Sequence, residues 1–184
     1  MADESRIRDL VRRAVEDAVA ADSQAGAGAR KRPDIAIGAD HGGYALKQKL
    51  IAHLTDQGLR VVDCGTSSTE SVDYPDFAHA VARRVSMAEC GLGIIVDGAG
   101  IGSSMVANKV PGVRAALCYD VSSARNSREH NHANVLTLGA GLVGEDLARQ
   151  IVDVWIATPV GGGRHARRAA MIDAVGRTYM KTEG

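Results

Sequence analysis

The alternation of short apolar runs with helix-length segments, sustained from Pro33 almost to the last residue, most restricts what this chain can become. Ile35 to Ala39, Arg60 to Cys64, Leu92 to Val96, Val113 to Tyr119 and Val135 to Gly139 read as five strands. Around them, Gly43 to Gln57, Pro75 to Ala88, Ser103 to Lys109, Ser122 to His130, Glu145 to Ala157 and Gly163 to Met180 read as helices. Near-continuous apolar strands belong to a parallel sheet that is covered on both faces. With right-handed crossovers the expectation is an α/β fold: a doubly wound, five-stranded parallel sheet of the Rossmann-like kind. Ligands of such sheets bind beyond the carboxyl ends of the strands.

The first 33 residues read as a separate unit, leaving 34–184 as the main domain. Ile7, Leu10, Val11, Ala14, Val15, Ala18 and Val19 form one helical stripe, with Asp3, Glu4 and Ser5 suited to its start. Gly26, Gly28, the Arg30-Lys31-Arg32 cluster and Pro33 then mark a flexible linker. The stripe packs on the protein's own surface or a sister subunit, or it docks in a partner's groove. Mixed charge on the helix, with Arg6, Arg8, Arg12 and Arg13 among five acids, argues against a mitochondrial presequence or a basic membrane-surface helix.

Charge and cysteine usage narrow the partners. The 22 basic and 22 acidic residues cancel, and aromatics make up 3%, so neither nucleic acid nor an anionic membrane is expected. No apolar run reaches the length of a membrane span and no secretory signal opens the chain. Cys64, Cys90 and Cys118, with no CxxC pair, read as reduced thiols of a cytoplasmic protein, forming neither a disulfide framework nor a metal site.

Polar residues gather where strands end. Asp40 and His41 follow the first strand, and Asp97 follows the third, leading into Gly98, Gly100 and Gly102. Three glycines in five residues let backbone N–H groups turn inward at a helix start, a geometry suited to an anion or a developing oxyanion. The spacing is GxGxG, not GxGxxG, so a dinucleotide site is not indicated. Asp97 at the mouth of this loop is a candidate proton-transfer group. Asp40 could instead cap the next helix, and His130 could be a surface histidine near a helix end. Arg164 and Arg168, at i, i+4, suit a phosphate or carboxylate, or form a solvated basic face.

Taken together, Asp40-His41-Gly42-Gly43 with Leu46-Lys47, Asp63-Cys64-Gly65-Thr66, Asp73-Tyr74-Pro75, Gly98 to Gly102, Ala107-Asn108-Lys109, Glu129-His130-Asn131 and Gly163-Arg164-His165 resemble the ribose-5-phosphate isomerase B family. That family includes galactose-6-phosphate isomerase subunits. The resemblance spans roughly residues 34 to 180. It implies an aldose–ketose isomerase of a sugar phosphate, acting through an enediolate with no metal or cofactor, as a homodimer or tetramer with sites at the subunit interface. It implies further that Asp40 and His41 contact the sugar, that His130 assists ring opening, and that Asn131 with Gly98, Gly100, Gly102 and Ser103 holds the enediolate. Arg164 and Arg168, joined by Arg114, would hold the phosphate. The N-terminal unit, a short amphipathic helix on a small-residue linker, resembles peptides that carry enzymes into bacterial microcompartments. It implies a shell-protein partner for residues 1–20.

Family members commonly place a cysteine base where this chain has Asp97, and threonine or serine where it has Ala99. Another branch has glutamate at the position of Ser103. Three readings follow from this resemblance: Asp97 replaces the thiolate as base, the site serves a different tetrose, pentose or hexose phosphate, or the chain is a non-catalytic phosphosugar-binding protein.

Overall fold

The structure, a computed structural model, describes residues 34–179. The N-terminal helix and linker expected over 1–33 lie outside the described residues, as does Met180. Five parallel strands, β1 (Ile35–Ala39), β2 (Val61–Asp63), β3 (Leu92–Asp97), β4 (Ala115–Leu117) and β5 (Val135–Gly139), form one sheet in the order β2-β1-β3-β5-β4. Six helices accompany them: α1 (Tyr44–Asp56), α2 (Tyr74–Ser86), α3 (Ile101–Ala107), α4 (Val121–Asn131), α5 (Glu145–Ala157) and α6 (Arg164–Tyr179).

Right-handed crossovers sort the helices by direction of travel across the sheet. The steps β1 to β2 and β4 to β5 go one way, so α1 and α4 share a face with α5. The steps β2 to β3 and β3 to β4 go the other way, so α2 and α3 cover the opposite face. Two apolar clusters follow. Leu46, Leu50 and Leu54 of α1 meet Ile151, Val152 and Trp155 of α5 over Ile35, Ile37, Ile94 and Leu136. On the other side Ala78, Val81, Ala82 and Val85 of α2 pack on Ala36, Ile95 and Val135. Successive strand residues serve opposite clusters, which is why the strands read as unbroken apolar runs. Lys47, fully buried, reaches Asp63 Oδ1 and Oδ2 at 2.5 and 2.7 Å and the Thr66 carbonyl at 2.8 Å, tying α1 to the end of β2.

Of the boundaries that depart from the sequence reading, two have a clear side-chain cause. Helix α3 starts at Ile101, two residues earlier than expected, because the Asp97 carboxylate takes up donors of its first turn. Strand β4 shrinks to three residues because side chains replace a neighbouring strand at its start. The Arg114 N–H donates to Asn134 Oδ1 at 2.8 Å and the Ala115 N–H to Asn108 Oδ1 at 2.9 Å.

Candidate active site

Strands β1 and β3 are neighbours whose following segments leave toward opposite faces, α1 on one side and α3 on the other. The crevice between their carboxyl ends is therefore the sheet's topological switch point. Asp40 and His41 line it from β1, and Asp97 with Gly98 to Ser103 from β3. The two loops nearly touch: a Cβ on Gly42 would lie 3.8 Å from the Gly98 nitrogen. Asp40 Oδ1 accepts the Gly43 N–H at 2.9 Å and so holds the turn that leads into α1; the N-cap itself is Gly43, and no side chain caps the helix, so Asp40 is not the cap that the sequence allowed. The exposed His41 has Nδ1 3.2 Å from the Val72 amide nitrogen and from the Val72 carbonyl oxygen.

Asp97 is nearly sealed, at 5% exposure. Its Oδ1 accepts the Ala99 N–H at 2.8 Å and the Gly100 N–H; its Oδ2 accepts the Ser103 N–H at 3.2 Å and the Ser103 hydroxyl. An ionised carboxyl group offers about four acceptor directions, and here four donors meet it. The loop can close this tightly only with glycine at position 100. Its φ is +78°, and a Cβ there would lie 2.9 Å from the Leu138 carbonyl carbon. Outside the ring, the Tyr119 hydroxyl donates to the Ala99 carbonyl at 2.9 Å, and the Tyr74 ring lies against Gly102. Sequence spacing assigns neither tyrosine to the loop, because an isolated tyrosine carries no periodic signal, and Asp73-Tyr74-Pro75 marks only a helix start.

The remaining expected residues collect elsewhere. Helix α4 starts just past β4 and returns the chain to the start of β5, so its last turn lies at the amino-terminal edge of the sheet. His130 and Asn131 sit there, beside the entry to α6. The imidazoles of His130 and His165 stack with centroids 4.1 Å apart and planes 6° from parallel. Asn126 Nδ2 lies 2.9 Å from His130 Nδ1, one helical turn away. His132, in the left-handed region at φ +52°, ends α4 and donates Nε2–H to the Gly161 carbonyl at 2.7 Å, locking the α5–α6 connection to it. Arg164 and Arg168 are exposed on the first turns of α6. Burial, then His130 and Arg164, hold His165 below the ordinary imidazole range. Arg114 lies at the same edge, but its Nη1 meets Asp173 Oδ1 and Oδ2 at 2.8 and 2.9 Å and its Nε donates to the His132 carbonyl at 3.0 Å. A carboxylate thus matches its charge before any ligand arrives.

A family model described as Ribose/Galactose Isomerase matches residues 35–172, which takes in both groups of residues. The chain belongs to the ribose/galactose isomerase family. Ribose-5-phosphate isomerase B of Escherichia coli (strain K12) is 45% identical over 141 residues, covering 77% of this chain and 95% of that protein. A namesake from Mycolicibacterium paratuberculosis (strain ATCC BAA-968 / K-10) is 42% identical over 147 residues, covering 78% of this chain and 91% of the relative. Among solved structures, the Clostridium thermocellum ribose-5-phosphate isomerase B superposes with a TM-score of 0.78 at 51% identity, over 79% of this chain and 99% of that one.

Within this family's fold, sequence reasoning named most of the residues at both edges but missed their neighbours. Asn126 carries a one-residue signal, and His165, though part of the Gly163-Arg164-His165 motif, is assigned no role by the sequence; both gain meaning only when α4 and α6 meet. None of the three cysteines stands in the glycine loop. Burial raises the pKa of all three thiols; at Cys118, hydrogen bonds from Ser123 and Ser127 of α4 oppose it only in part.

Proposed function

We propose that this chain is an aldose–ketose isomerase of a phosphorylated sugar, interconverting ribose 5-phosphate and ribulose 5-phosphate through an enediolate without metal or cofactor. The observation that supports this most is the carboxylate of Asp97, ringed by loop donors at the β1–β3 crevice of a ribose/galactose isomerase family member. The substrate pair follows the names of the Escherichia coli and Clostridium thermocellum relatives.

In this reading the site is shared between two copies of the chain, in a homodimer or tetramer. Asp40, His41, Asp97 and the loop with Gly98, Gly100, Gly102 and Ser103 come from one copy. His130, Asn131, Arg164 and Arg168 come from the other. The separation of the two groups to opposite edges of one sheet supports this, since α4, with 11 residues, alone spans about 16 Å. The two guanidinium groups clamp the phosphate by charge-assisted hydrogen bonds. His130 assists opening of the sugar ring, and Asn131 steadies the enediolate.

Asp97 then takes the proton from C2 of the open aldose while the electron pair moves onto the C1 carbonyl oxygen. The proton of the C2 hydroxyl passes to the C1 oxygen, and return of the abstracted proton to C1 as the C2 carbonyl forms gives the ketose. To accept that proton, Asp97 must release a loop donor. The charge it loses appears on the enediolate oxygen, so the Ala99 and Gly100 N–H groups pass from one oxyanion to the other. Such donors are typically worth about 3–4 kcal/mol of transition-state stabilisation, and here they offset the absent hydroxyl at position 99. Asp97→Asn should retain sugar-phosphate binding and lose turnover by about 10²–10⁴. Unchanged turnover removes Asp97 from this role. The same saturation of Asp97 also favours the competing reading, a phosphosugar-binding protein. That protein would bind tetrose, pentose or hexose phosphates tightly, without exchange of C1 or C2 protons into solvent.

Residues 1–20 carry a separate proposal: they dock the enzyme to a microcompartment shell in the cytoplasm. The family match begins at Ile35, so the stripe and linker are an addition to the isomerase domain. Deleting residues 1–30 should leave activity intact and abolish co-sedimentation with shell proteins; a truncated protein that still sediments with shells ends the idea.

A further inference from the structure

We infer that Asn126 and His165 are positioning residues that hold His130 as a neutral imidazole with its proton on Nε2, presenting an N–H donor to the sugar. This rests on the isomerase reading and adds how its ring-opening histidine is set.

Asn126 and His130 stand at i, i+4 on α4, and Asn126 Nδ2 is 2.9 Å from His130 Nδ1. A carboxamide nitrogen only donates, so Nδ1 accepts; in a neutral ring the proton must then sit on Nε2. The opposite nitrogen is thereby fixed as a donor by a residue that need not touch substrate. His165 fixes the plane of the ring, since stacking at 4.1 Å and 6° leaves little rotation about χ2. Glu129 Oε1 lies 3.8 Å from His130 Nε2, the nitrogen that carries the proton in this tautomer.

Such a donor suits ring opening. The anomeric hydroxyl proton passes through water to the ring oxygen as the bond from C1 to that oxygen breaks, and the imidazole only donates a hydrogen bond. The imidazole is therefore neutral before and after, and its N–H faces the oxygen on which negative charge builds.

The decisive measurement is the tautomer of His130 in the full-length protein labelled with ¹⁵N-histidine, read from long-range ¹H–¹⁵N correlations near neutral pH. A neutral Nε2–H pattern in the wild type that is lost in Asn126→Asp supports the inference. A wild-type ring that is charged, or protonated on Nδ1 alone, overturns it. Kinetics give a second readout. Asn126→Asp, whose carboxylate accepts from Nδ1–H, should lower kcat on ribose 5-phosphate by about 10²-fold with KM changed less than about threefold. It should also move the acidic limb of the pH profile to higher pH. On a four-carbon aldose 4-phosphate, which cannot close a five-membered ring, the loss should be at least about tenfold smaller. His165→Phe should rescue most of the loss in His165→Ala, because the flat ring rather than its nitrogens does the holding. Equal losses on both sugars, or no rescue by phenylalanine, overturn the positioning roles. A wild type that isomerises neither sugar defeats the isomerase reading, and the tautomer is then still read by resonance.

Discussion

The loop between β3 and α3 and the corner where the end of α4 meets the start of α6 are both built around charged groups, yet they solve opposite problems. At the loop, Asp97 is buried and four donors from its own segment surround it, so the negative charge is satisfied before any ligand arrives. At the corner, Arg164 and Arg168 are exposed to solvent beside a stacked pair of imidazoles. One region stores its hydrogen bonds internally, the other leaves its donors open to solvent. A buried charge without partners is costly, whereas exposed guanidinium groups cost little and wait. In the proposed site, the proton-transfer group is thus held closed at one end of the sugar phosphate while the phosphate-binding groups stay open at the other.

The sharpest way to break this comparison is to remove the internal anion. Asp97→Ala leaves three buried N–H groups and a hydroxyl without their acceptor, and should lower stability by about 2–4 kcal/mol, seen as a lower urea midpoint with unchanged slope. Turnover should fall by about 10²–10⁴ in the same variant. A fully stable Asp97→Ala would show that the loop does not depend on its carboxylate. Arg168→Ala tests the open region and should behave differently, raising KM by about 10- to 150-fold, as a charge-assisted contact of about 1.5–3 kcal/mol requires. Its melting temperature should stay near that of the wild type. A loss of kcat with unchanged KM would place Arg168 in the chemistry rather than the clamp. The smallest effect is expected from thiol alkylation. Burial holds Cys64, Cys90 and Cys118 above the usual thiol range, so at neutral pH they are protonated and slow to react. Iodoacetamide at pH 7 should leave activity unchanged, and rapid inactivation would show a thiol at work.

Much of the fold was legible because its signals are local. Apolar runs at Ile35–Ala39 and Val135–Gly139 became strands with the expected bounds, and Glu145–Ala157 became a helix as read. The early start of α3 was hidden because it depends on a side chain folding back from the preceding strand. The shortening of β4 was hidden for a similar reason, since the amides of Asn108 and Asn134 stand in for strand partners. Arg114 illustrates the limit at the site: as an isolated arginine it suits a phosphate, and only the packing of α6 brings Asp173 against it.

Sequence alone determined the class of fold, the edge of the sheet where Asp40, His41 and Asp97 would gather, and the arginine pair that opens α6. Those features follow from periodicity, turn residues and i, i+4 spacing, all of which act within a few residues along the chain. Tertiary structure alone decided that Asp97 is enclosed by its own loop, that His130 stacks on His165, and that the two groups occupy opposite edges of one sheet. Burial, ring stacking and the direction of a crossover arise only when distant segments meet, and no stretch of sequence carries them by itself.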